Sequence, residues 1–117
     1  MIKLKSVFTK TEKSDGYRIL ITRHSMDFYN FNLHIPELSP STELTNLFEG
    51  GKKTFSEYKT RYEIEMESRW VQIAKLRKLS DTQGTITLLS YEFDSQQSHR
   101  SILEGLIQDC NFWAKKD

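Results

Sequence analysis

Apolar and polar residues alternate over Ile2–Phe8, with Ile2 and Leu4 on one side and Lys3, Lys5 and Val7 on the other. A period of two is that of a strand, and the lysines mark one near a sheet edge, where they discourage pairing with a foreign strand. Thr9–Gly16 is polar and ends in Asp15-Gly16, a turn signal. Tyr17–Thr22 reads YRILIT, and its Ile19-Leu20-Ile21 run predicts a central strand buried on both faces. Arg23–Asn32 mixes aromatics with polar residues and shows no period. A third strand is expected over Phe31–Leu38. Pro36 places it at an edge or a bulge, because proline has no N–H to give to a ladder.

The period then changes. Ser39-Pro40 predicts a helix start, with serine as N-cap and proline at the first helical position. Leu44, Leu47 and Phe48 supply a short stripe, and Gly50-Gly51 ends it. Thr54-x-x-Glu57 is a capping-box pattern. It opens a stretch with Phe55, Tyr58, Tyr62, Met66, Trp70, Ile73 and Leu76 at spacings of three and four, which is one buried helical face. A run of about 26 residues is long for a small domain, so a break is expected near Glu67-Ser68, with Ser68 capping the second segment. Thr82–Gly84 reads as a turn and Thr85–Tyr91 (TITLLSY) as the clearest strand. Asp94-x-x-Gln97 resembles a second capping box. The helix it opens should reach about Ala114, with Leu103, Leu106, Cys110 and Trp113 on its core stripe.

These elements predict one α/β domain over residues 1–117: a mostly parallel sheet of about four strands with helices packed on it in a three-layer-like arrangement. The helical crossover between the third strand and the last implies parallel pairing for the last. Only about eight residues join the first two strands, so their relative direction stays open, a parallel crossover normally needing a dozen or more.

Composition narrows the partners. Seventeen Lys+Arg against 16 Asp+Glu leave no strong global field for a polyanion, so nucleic acid is disfavoured unless a local basic patch exists. Mean hydropathy is -0.61, yet aromatics make up 12%, which fits a ring-rich core and not a disordered chain. A lone cysteine, Cys110, can form neither an internal disulfide nor a thiolate zinc site. No apolar run suits a signal peptide or a membrane span. The expectation is a cytoplasmic protein with no membrane partner.

In open α/β sheets, ligands bind beyond the carboxyl ends of the strands. Three such ends are Arg23-His24-Ser25, Glu37-Leu38-Ser39 and Ser90-Tyr91-Glu92, the last followed by Ser98-His99-Arg100. Together they would offer arginines for an anion, and carboxylates and histidines for a proton. LLSYEFDSQQSHRSIL (Leu88–Leu103) resembles a segment of the domain-of-unknown-function family numbered 488. Many members read Leu-Leu-Cys-Ala-Glu there, then Cys-His-Arg-Ser. Glu92, His99, Arg100 and Ser101 match, while Ser90 and Ser98 replace the two cysteines. DGYRILITR (Asp15–Arg23) and SPSTEL (Ser39–Leu44) are similar to segments of the short, YeaO-like branch, and LHIPEL (Leu33–Leu38) to one of the longer branch. Departures also exist: His24-Ser25-Met26-Asp27-Phe28 stands where the short branch has Leu-Trp-Pro-Arg-Gly, Thr22 replaces an aspartate and Thr45 an arginine. The resemblance implies the α/β fold and a pocket, and no reaction or substrate. A member that changed ligand or lost activity is consistent with it.

Each candidate has a plain reading beside a functional one. His99 lies on the apolar stripe. It is either a buried histidine bonded to a strand-end carbonyl or a general acid/base, and Glu92 either orients it or pairs with Arg100. Arg100 lies off the stripe, as a surface charge paired with Glu104 or as a clamp on a carboxylate or phosphate. Arg23 has the same two readings at the end of a central strand. Ser90 and Ser98 are ligand-binding candidates. A serine nucleophile is disfavoured, since no Gly-x-Ser-x-Gly elbow exists. His24, His34 and His99 lack paired zinc spacing, and neither a Walker motif nor Gly-x-Gly-x-x-Gly is present, so no cofactor or metal is assigned. Two functions remain. One is a strand-end pocket for a small anion, with His99 and Glu92 as the catalytic pair if there is a reaction. The other is a regulatory or interaction module with a vestigial pocket, its aromatic helix face serving a homodimer.

Overall fold

The computed structural model of the chain describes residues 1–92, 97–109 and 112–113. Its elements are β1 (Ile2–Ser6), β2 (Tyr17–Leu20), β3 (Leu33–His34), α1 (Thr42–Glu49), α2 (Phe55–Met66), α3 (Trp70–Gln83), β4 (Ile86–Ser90) and α4 (His99–Gln108). Short 3-10 turns fill Lys13–Asp15, Pro36–Leu38 and Glu67–Arg69. The described strands form one four-stranded, fully parallel sheet in the order β1-β4-β2-β3. β4 lies between β1 and β2, with Leu88 opposite Leu4 on one side and Ile19 on the other. That position explains its five consecutive buried residues. It also settles the direction of β1, which is parallel to β4 at the sheet edge that its lysines imply.

Side chains that alternate along the strands divide the two faces. Ile19, Ile21, Ile86 and Leu88 pack with Leu44, Tyr58, Tyr62, Met66, Ile73, Leu76, Leu103 and Leu106 in one core, so all four helices cover the same face. Among the described residues no α-helix packs on the other face, where the Lys13–Asp15 turn and the Asn30 loop meet β1 and β2. Asp15, completely buried, accepts from Lys3 (2.8 Å) and Lys5 (3.0 Å) and pairs with Arg18. Arg18 also donates from Nε to the Asn30 carbonyl at 2.9 Å, and the Thr87 hydroxyl donates to the Asp15 carbonyl at 2.6 Å. Burial alone would raise the Asp15 pKa, but the bonds from Lys3 and Lys5 hold the carboxyl well below the ordinary carboxylate range. Gly16 follows with φ +64°, where a Cβ would stand 2.3 Å from the Thr85 carbonyl oxygen, so only glycine lets the chain enter β2.

Several boundaries differ from the sequence expectation. The third strand keeps only Leu33–His34, since Pro36 opens a 3-10 turn. The helix after it is capped by Ser41 and not Ser39: the Ser41 hydroxyl accepts from the Leu44 amide at 3.1 Å. The Glu65 carboxylate fixes this choice by accepting from the Ser41 amide (2.9 Å) and hydroxyl (2.5 Å). The Thr54–Glu57 capping box is formed on both sides. The break at Glu67–Arg69 is present, but Ser68 donates back to the Glu65 carbonyl and α3 has no side-chain cap. The tighter 3-10 winding there throws the apolar stripe out of phase at Trp70, which is 40% exposed, before it resumes at Ile73. α3 runs on to Gln83, so the expected turn at Thr82–Gly84 reduces to Gly84. α4 starts at His99 with Ser98 as N-cap. The Asp94 box, Cys110 and Ala114 lie outside the described residues.

Candidate functional site

The parallel sheet brings the ends of β2 and β4, the turn Pro36–Leu38 and the first turn of α4 to one side of the molecule. There they enclose a cleft of about 270 Å³, lined by Thr22, Arg23 and His24 after β2, Ser39 and Pro40 after the 3-10 turn, Ser90, Tyr91 and Glu92 from the end of β4, and His99. Four of the six sequence candidates (Arg23, Ser90, Glu92 and His99) line one space.

His99 is 3% exposed. Its Nε2 lies 2.8 Å from the Ile21 carbonyl oxygen. A carbonyl only accepts, so Nε2 carries the hydrogen and donates it. Burial lowers the His99 pKa, and the nearby Glu92 carboxylate only partly restores it. The ring is therefore neutral near pH 7, and its Nδ1 is a bare lone pair. That atom has no hydrogen-bond partner among the described residues and faces Glu92 Oε1 at 4.0 Å. The imidazole is held by its Ile21 bond and by the edge of Tyr62, whose hydroxyl donates to the Leu38 carbonyl at 2.5 Å.

Glu92 is the open half of this pair, its side chain 43% exposed. The Ser90 hydroxyl donates to its Oε2. Arg100 supports it from behind and does not line the cleft. Its guanidinium is completely buried, donating from Nε to Ser98 Oγ at 2.8 Å and from Nη2 to the Glu92 main-chain carbonyl at 2.6 Å. The same nitrogen stands 4.0 Å from Glu92 Oε2. The surface pairing with Glu104 expected of a residue off the apolar stripe is thus replaced by an inward tie between the α4 cap and the β4 end. Ser98, 1% exposed, belongs to this tie and not to the cleft wall. Arg23 lines the cleft and is exposed, its Nη2 donating to the Pro40 carbonyl at 2.9 Å. The His24 carbonyl accepts from the Tyr91 hydroxyl at 2.8 Å, which fixes the rim where the two strand ends meet.

Sequence reasoning missed one wall. Thr42, Thr45, Asn46 and Glu49 of α1 line the cleft. Their spacing of three, four and seven is a polar helical stripe, as legible as the apolar stripe beside it. Among the described residues no three His, Cys, Asp or Glu side chains are grouped to hold a metal ion. No helix among them is long and apolar enough to cross a membrane.

Chemically, a bare imidazole nitrogen and a carboxylate face each other as two acceptors. Such a pair binds a donor or takes up a proton, and an arginine lining the same cleft suits an anionic group on the same ligand.

Comparison with known proteins places the chain in a family. The model of the active DUF488-N3 subclade matches residues 2–111. The uncharacterized protein YeaO of Escherichia coli (strain K12) is 29% identical over 112 residues, covering 92% of this chain and 96% of that protein. No solved structure matches the chain. Matched by that model over nearly its whole length, the chain belongs to the DUF488 family.

Proposed function

We propose that the chain binds a small anionic molecule, a phosphate or carboxylate, in the strand-end cleft. The observation that supports this reading is that Arg23 lines the same cleft as the Glu92–His99 pair. Arg23 takes the anionic group, and Glu92 with neutral His99 takes a hydroxyl or amine of the same ligand. If the bound group reacts, the chemistry is proton abstraction, with Glu92 or His99 Nδ1 as the acceptor and Ser90 and Arg100 as positioning residues. The match to the active DUF488-N3 subclade favours a working site over a vestigial one. A lone cysteine and balanced charge support a cytoplasmic location.

A second reading, an interaction module, has its own observation. Phe28, Phe8 and Met26 are 69%, 53% and 50% exposed on the loops beside the cleft, and Ile64, Val71 and Trp70 form another apolar group at the helix break. Sedimentation analysis tests the homodimer form of that reading.

For the first reading, thermal shifts are measured with inorganic phosphate and with citrate, since a ligand that binds only the folded state raises its stability. Arg23→Ala should lose the shift. A variant that responds as the parent does would place the ligand elsewhere.

A further inference from the structure

A second and larger groove, of about 600 Å³, adjoins the cleft. Arg23, Ser39 and Thr42 line both, so the two spaces adjoin along these three residues. The larger, outer groove runs between the Pro36–Leu38 turn and the α2–α3 break, where Arg69 and Glu37 join its wall. Arg69 and Glu37 are exposed and make no hydrogen bond or ion pair among the described residues. Glu65, the other carboxylate there, is committed to capping Ser41.

A bare anion needs neither this length nor a second arginine. From this we infer that the ligand is a polyhydroxylated molecule with two separated anionic groups, of the sugar bisphosphate class. The inference rests on the proposed cleft function and extends it. The first anionic group lies at Arg23, which lines both spaces. The second lies in the outer groove at Arg69, where guanidinium is the side chain suited to a phosphate. The hydroxyls of the spacer meet Ser39, Thr42 and the free Glu37 carboxylate. Carboxylates lining the two spaces (Glu37, Glu49, Glu65 and Glu92) and a net charge of +1 oppose a long polyanion such as a nucleic acid strand. They tolerate two phosphates, each with its own arginine.

The test is isothermal titration of the full chain with inorganic phosphate, fructose 6-phosphate and fructose 1,6-bisphosphate. The bisphosphate should bind at least tenfold more tightly than the monophosphate. Arg69→Ala should erase that advantage and leave inorganic phosphate unchanged. Arg23→Ala should weaken all three. Equal affinity for bisphosphate and monophosphate, or an Arg69→Ala protein that keeps the difference, overturns the two-anion inference while leaving the cleft reading intact. Binding that survives Arg23→Ala unchanged, or no binding of any of the three, overturns both.

Discussion

Arg100 is the residue whose role the structure redefines most, and Arg100→Met isolates it. Methionine keeps an unbranched stem of similar length, so little cavity forms and the loss falls on the guanidinium. Two charged-donor bonds disappear, to Ser98 Oγ at 2.8 Å and to the Glu92 carbonyl at 2.6 Å. Ser98 Oγ keeps a donor, because the Arg100 amide also bonds to it at 3.2 Å. The Glu92 carbonyl loses the Arg100 donor altogether. Bonds from charged donors contribute about 1.5–3 kcal/mol each, offset here by removing a buried charge from a low-dielectric site. A net destabilisation of about 2–4 kcal/mol follows. With a urea slope of about 2 kcal/mol/M, the unfolding midpoint should fall by about 1–2 M at unchanged slope. Arg23→Met is the control. It is exposed and makes one bond to a backbone carbonyl, so its stability should change by less than about 0.5 kcal/mol and its midpoint by less than about 0.25 M. An Arg100→Met protein as stable as the parent would refute the view that this guanidinium ties α4 to β4.

Two further predictions concern pH. The folded pKa of Asp15 is depressed, so its contribution is complete above its unfolded value of about 3.9 and is lost as pH falls toward the folded value. Asp15→Asn should lower stability at pH 7 by about 3–5 kcal/mol, leaving Lys3, Lys5 and Arg18 without their shared anion, and should flatten stability against pH below about 4 in urea titrations. The His99 pKa is also lowered by burial, so its contribution is present above about 6.5 and lost as pH falls below it. Nitrogen-15 spectra of the ring at pH 7 should show a neutral imidazole protonated at Nε2, and protonation at Nδ1 instead would remove the acceptor pair from the site.

What local chemistry could state was legible along the chain. The period of two in Ile2–Ser6, the apolar run before β2's end and the TITLLSY strand name three strands, because strand burial is written in side-chain alternation. The Thr54–Glu57 capping box names a helix start because both partners lie within one turn. The helix start after β3 reads as Ser39-Pro40 from local pattern, whereas the cap is Ser41. The decision belongs to Glu65, which is 24 residues distant in sequence from Ser41 and reaches it only after folding. Strand Phe31–Leu38 is shorter than its apolar content implies: the Ile35 amide still bonds to the Leu20 carbonyl of β2 at 2.9 Å, but Leu38 is buried from the 3-10 turn that Pro36 opens.

The candidate site divides the same way. The sequence by itself determined that Arg23, Ser90, Glu92 and His99 stand at strand or helix ends, since those ends are marked by composition and period. It also determined that His99 belongs to the buried stripe of α4, which the carbonyl bond from Ile21 makes physical. Only the tertiary structure decided which side chains share a cavity and which stand behind it. Insertion of β4 between β1 and β2 set the Glu92 end beside the Arg23 end, and no local pattern encodes strand order. Helical periodicity put Arg100 off the stripe, as though for solvent, yet its guanidinium is wholly buried against the Glu92 carbonyl. A side chain long enough to turn back across its own helix start is placed by the partners it finds there, and those partners are supplied by the end of a strand.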